Sequence, residues 1–171
     1  MIAAPNKPET LPMPEDVGTA RQLWWATAAL GIVYTFASVF TMAGERGELS
    51  KQFLDDMRKS DPNFAASTAD TMVLVGFVVI ALVGSALVAG ATVAFAHQLG
   101  RGKTWARTVL MVIAVWLGLG AVTTMFTFSA VANPATIIAG GTAIVQGVLA
   151  AGAAYLSYRP ESTKYFLAHR K

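Results

Sequence analysis

The stretch Gly100-Arg101-Gly102-Lys103-Thr104-Trp105-Ala106-Arg107 decides how this chain folds. Ahead of it, Met72 to Ala96 is an uncharged, apolar run, and after Arg107 no charged residue occurs before Arg159. A few small and polar residues therefore join two segments that are each long enough, at about 1.5 Å per helical residue, to cross a hydrocarbon core of about 30 Å. The join holds three basic residues and no acidic one. Lysine and arginine accumulate in cytoplasmic loops, so this hairpin turn is predicted to face the cytoplasm, and that assignment orients the rest.

Working outward, the predicted spans cover about residues 22–43, 72–97, 105–128 and 135–158, within a transmembrane domain of about 21–158. The fold class is all-α: a polytopic four-helix bundle. The first span opens on Arg21 and the pair Trp24-Trp25, and the third on Trp105. Tryptophan suits the headgroup interface because its ring is buried there while the indole N–H stays wet. Residues 1–20, with Pro5, Pro8, Pro12 and Pro14 among acidic side chains, are read as a disordered cytoplasmic tail with no secretory signal. Residues 159–171 mix basic and aromatic side chains and are read as a cytoplasmic tail along the inner membrane surface.

The only long hydrophilic connection is residues 44–71. Leu49, Phe53, Leu54 and Met57 recur there at helical spacing, which predicts an extracytoplasmic amphipathic helix ended by Ser60-Asp61-Pro62. It either caps the bundle on the outer membrane face or contacts a partner through those four residues. Ser67 and Asp70 fit a capping box at the start of the second span.

Of the 13 lysines and arginines, nine fall on the side of the termini and of Gly100–Arg107, against four on the other. Both termini are therefore placed inside, in a multi-pass protein of the inner (plasma) membrane. The bulk composition agrees: 54% hydrophobic and 13% charged, against about 25% charged in a typical soluble domain. Mean hydropathy is +0.51.

Within lipid, small residues at every fourth position let helix backbones approach closely. Ala81, Ser85 and Ala89 make one such stripe, Ala86, Gly90 and Ala94 a second, and Ala139, Ala143, Gly147 and Ala151 the longest. Gln146 is the most polar side chain near the predicted midplane. An unsatisfied amide in hydrocarbon costs several kcal/mol, so Gln146 should bond across to another helix or line a polar path. Arg101, Lys103 and Arg107 are the candidate contacts for anionic lipid headgroups.

The chemistry missing from the sequence narrows function further. No Asp, Glu, Lys, Arg or His lies in the interior of a predicted span (His97 and Arg107 stand at span ends), whereas proton relays and ion-coupled carriers place such groups there. There is no cysteine, and no nucleotide-binding, serine-nucleophile or zinc-ligand pattern. Asp55, Asp56 and Asp61 read as a solvated charge run with basic neighbours at helical spacing. No catalytic residue, cofactor or metal is expected. The partners expected are membrane lipids and other integral membrane subunits, not nucleic acid.

Arg21-Gln22-Leu23-Trp24-Trp25, Gly102-Lys103-Thr104-Trp105-Ala106-Arg107 and Arg159-Pro160-Glu161-Ser162 with Tyr165-Phe166 resemble small four-span envelope proteins of actinobacteria. Within that group the layout is similar to the LucB-type accessory subunit of the mycobacterial Mce lipid importer. The resemblance implies a non-catalytic accessory subunit attached to a permease–ATPase core. The residues alone also admit a self-assembling small carrier or channel, with Gln146, Thr92, Thr123 and Thr124 along its route.

Overall fold

The structure, a computed structural model, describes residues 12–127 and 134–169. Nearly all of the described residues are helical, and none of them forms a strand. Helix α1 (Glu15–Gly44) is followed by the short α2 (Arg46–Ser60). Next, α3 (Ala66–Val79), a π turn (Ile80–Gly84) and α4 (Ser85–Gly100) run on as one 35-residue helix. Then come α5 (Thr104–Thr127), α6 (Pro134–Ser157) and α7 (Pro160–Ala168). Among the described residues four helices are long and apolar enough to cross a membrane: α1, α3–α4, α5 and α6. This is the architecture of a multi-pass membrane protein.

The helices differ from the expected spans at their ends. Helix α1 begins at Glu15 rather than Gln22, so the last residues of the expected tail are ordered. Val17, Ala20 and Trp24 share one helical face and are fully buried, which carries the apolar spacing upstream until Pro14 stops it. Glu15 and Asp16 then sit in the first turn, where the helix dipole favours negative charge. The remainder of that tail, residues 1–11, lies outside the described residues, as do residues 128–133, which hold most of the gap between the third and fourth expected spans.

The expected capping box does not form. Helix α3 starts one residue before Ser67, with Ala65 at the N-cap and no side-chain cap. Asp70 is engaged instead by Arg46, whose Nε and Nη2 reach its two carboxylate oxygens, and this two-point, charge-assisted pairing outcompetes a cap. The pairing ties the start of α2 to α3. At its other end α2 stops at Asp61, whose carboxylate accepts from Asn63 N, and Phe53 meets Phe64 edge to face at 6.4 Å.

The loop that decides the fold is a glycine-terminated helix end. Lys103 N donates to Gln98 O (3.2 Å) and Gly102 N to Leu99 O (3.0 Å), closing the last turn of α4. Gly102 has φ +72°, the left-handed conformation that a residue with a Cβ avoids. The reversed chain then starts α5 at Thr104.

The expected surface tail is also helical. Pro160 occupies the first turn of α7, and Ser162, Tyr165 and Phe166, spaced three and four apart, are buried. That face docks onto the end of the bundle.

Successive spans alternate in direction. α1 packs most extensively against α6, which also packs on α5, and α1 packs on α4. The fourth side of this ring, between α4 and α5, has the least contact. The core of Val17, Trp24, Leu99, Leu110, Ala150, Ala153 and Phe166 lies in the half nearest α7.

Candidate functional site

Two places combine polar chemistry with shape: the sealed α7 end and a cleft in the middle of the bundle. At the α7 end, Tyr165 Oη donates to Gly100 O (2.9 Å). Arg107 lays its guanidinium 3.7 Å from the Tyr158 ring centre and 5.4 Å from that of Phe166, and Nη2 donates to Thr163 Oγ1 at 3.3 Å. Cation–π contact of this kind holds α7 against the start of α5. Arg159 pairs with Asp16 at 2.9 Å, and Arg21 stands over Trp25. Burial raises the Tyr165 phenol above its ordinary range, since the phenolate would lose its water. Of the three residues expected to meet headgroups, Arg101 and Lys103 are exposed, while Arg107 is half-buried and already engaged.

The cleft lies near the middle of the spans and has a volume of about 620 Å³. Its lining includes Gly31 and Thr35 of α1, Thr92 of α4, Trp116 of α5, and Ala143 and Gln146 of α6. Gln146 is buried and donates from Nε2 to Thr27 O at 3.1 Å, a bond from α6 to α1. Gly31 makes that approach possible: a Cβ there would stand 3.0 Å from Gln146 Nε2. Thr27, Thr35 and Thr92 each donate their hydroxyl proton to a carbonyl four residues back, so no hydroxyl proton is stranded. Val88 and Ala91 on α4, with Val112 and Trp116 on α5, form an exposed rim. The cleft therefore opens sideways, through the weakly packed side of the ring.

The small-residue stripes divide by face. Ala81 and Ser85 are buried and Ala89 is half-buried, whereas Ala86, Gly90 and Ala94 are exposed. A Cβ on Gly90 would meet nothing within 4 Å. On α6, Ala139 is half-buried, Ala143 lines the cleft, and Gly147 sits so close to α5 that a Cβ would stand 2.6 Å from Ala121 Cβ. Ala151 is exposed over a second, apolar groove of about 420 Å³ between α5 and α6.

The buried face of α6 is broader than the stripe read from sequence. It includes Ala150, Ala153, Ala154 and Ser157, whose spacing of three and four was visible in the sequence. Leu49, Phe53, Leu54 and Met57 are all half-buried, and α2 has no buried residue. Asp56 pairs with Lys59 at 2.7 Å on the exposed face of α2. Among the described residues, no three metal-ligating side chains come together.

No protein-family model, curated protein or solved structure matches the chain.

Proposed function

We infer that this chain is a non-catalytic accessory subunit of a larger complex in the inner (plasma) membrane of the cell envelope. The observation that carries this reading is the outward stripe Ala86, Gly90 and Ala94 on α4, three exposed small residues one turn apart, with no described residue within 4 Å of a Cβ placed on Gly90. Lipid tails are as apolar as leucine, so such a stripe gains little from lipid and much from a second helix packed backbone to backbone. The half-buried ridge of α2 (Leu49, Phe53, Leu54, Met57) adds a second surface on the side away from the termini. The charge count favours cytoplasmic termini. The four-helix layout, similar to that of LucB-type subunits, favours a lipid importer of the Mce type as the host complex.

Purification from native membranes in mild detergent tests the reading. The chain brings integral membrane proteins with it, and Gly90→Leu releases them while leaving the melting temperature within a degree or two, since its Cβ enters open space. A lone monodisperse monomer from native membranes overturns the reading. A tag fused after Lys171 that is reached only from outside the cell overturns the orientation.

The cleft favours a second reading, a self-assembling small carrier with Gln146 beside its route. That reading requires flux in proteoliposomes that Gln146→Leu abolishes, and it fails if the wild-type chain carries no flux.

A further inference from the structure

The cleft that opens between α4 and α5 has chemistry of its own. Its volume of about 620 Å³ falls within the range of roughly 300–1,000 Å³ typical of small-molecule sites. Gln146 is the thirteenth residue of the 24-residue α6, so its amide lies about 18 Å along the span, deep in hydrocarbon. No charged residue lines the cleft. Gln146 lines the cleft with its Nε2 engaged by Thr27 O, so the group its amide can offer a guest is the carbonyl acceptor Oε1. Thr35 and Thr92, with their hydroxyl protons given to Gly31 O and Val88 O, present oxygen lone pairs. Acceptors at Gln146, Thr35 and Thr92, beside a Tyr34 hydroxyl that can donate or accept, suit an uncharged group that donates a hydrogen bond.

We propose that this cleft binds one uncharged lipid alcohol, of the diacylglycerol or sterol kind, with its hydroxyl donating to Gln146 Oε1 and its hydrocarbon leaving between Ala91 and Trp116. A phospholipid does not fit, because bringing its glycerol to Gln146 would drag the phosphate below the interface, where ions are strongly disfavoured. A hydroxyl loses less on burial and regains it in a hydrogen bond. The small residues Gly31, Ala91, Gly120 and Ala143 keep the walls open, and the exposed Trp116 ring supplies a flat surface at the mouth. This assignment stands apart from the accessory-subunit reading: it concerns the α5-facing side of α4, whereas Ala86, Gly90 and Ala94 lie on the face turned away from the bundle.

The full chain is reconstituted in phosphatidylcholine vesicles containing a diacylglycerol with a diazirine in one acyl chain. A matched sample contains phosphatidylcholine with the same diazirine chain. Photolysis and peptide mapping should place the diacylglycerol label on residues 88–92 and 112–120, at least ten-fold above the phosphatidylcholine probe. Ala91→Phe, at an exposed position on the rim, should remove that label. Gln146→Leu should lower it to the phosphatidylcholine level, with folding checked by thermal melting; should this variant unfold, Ala91→Phe carries the test. Equal labelling by the two probes overturns the proposal. So does a label spread evenly over the four spans, or one unaffected by Ala91→Phe. Cross-linking of the cleft to another polypeptide in native membranes also overturns it, by assigning the space to a partner's helix.

Discussion

Near α7, Val17, Ala20 and Trp24 of α1 interlock with Leu99, Leu110, Ala150, Ala153 and Phe166, all essentially removed from solvent. Past Gln146, towards α2, the same helices stand apart around a cleft whose rim residue Trp116 is 77% exposed. One set of helices thus makes a sealed half and an open half. The difference follows from side-chain choice. In the sealed half a tryptophan and a phenylalanine fill the space between helices, and alanines on α6 admit them. In the open half the small residues Gly31, Ala91, Gly120 and Ala143 line the cleft, and its aromatic lining residues Tyr34 and Trp116 are exposed rather than enclosed between helices. In lipid such a gap carries no water penalty, so nothing in folding requires it to close.

The comparison breaks most sharply at its tryptophans. Replacing a large buried aromatic with alanine typically costs about 3–5 kcal/mol. Trp24→Ala should cost about that much in thermal or denaturant unfolding in detergent, because the whole ring is enclosed. Trp116→Ala should stay within about 0.5 kcal/mol, as for an exposed substitution. Comparable losses from the two would mean the halves are equally packed.

Glycines sharpen the contrast at lower cost. A Cβ on Gly147 would press on Ala121 Cβ at 2.6 Å and Leu117 O at 3.1 Å, so Gly147→Ala should destabilise by about 1–3 kcal/mol through overpacking. Gly120→Ala meets nothing within 4 Å, and removing a helical glycine should stabilise by up to about 1 kcal/mol. Opposite signs in one melting series are the expected result. A loss at Gly120 would show that the open half is closed in the folded protein.

The bundle itself was legible in the sequence because lipid imposes a length and an apolarity that few soluble helices meet. The turn at Gly102 was legible too, since a glycine after a long apolar run can take the left-handed conformation. Helix ends were less legible. Ser67 and Asp70 carry a capping pattern, yet Arg46, 24 residues away in sequence, takes the carboxylate, and no local pattern announces that. The cation–π seat of Arg107 on Tyr158 was hidden likewise, because a basic loop residue beside a membrane looks the same whether it meets a headgroup or a ring. Gln146 was legible as a polar residue needing a partner across the bundle. Its partner, a backbone carbonyl of α1, has no signature in side chains. The cleft was invisible because an absence of large residues at four separate positions forms no motif.

The smallest effect tests what seals the closed half. Tyr165 is buried and donates to Gly100 O, and burial holds its phenol above the ordinary value of 10.0. The docked state thus favours the protonated phenol. Its contribution is complete below pH 10 and is lost as the pH rises through and beyond that value, because the undocked tyrosine ionises first. Melting temperature or protease resistance of α7 should therefore fall as the pH is raised above 10 in the wild type. Tyr165→Phe should be weaker by about 1 kcal/mol at pH 8, the worth of one neutral hydrogen bond, and should lose the share of the pH dependence that belongs to this phenol. Two curves falling in parallel would place the titrating group elsewhere and leave α7 held by Phe166 and Arg107 alone.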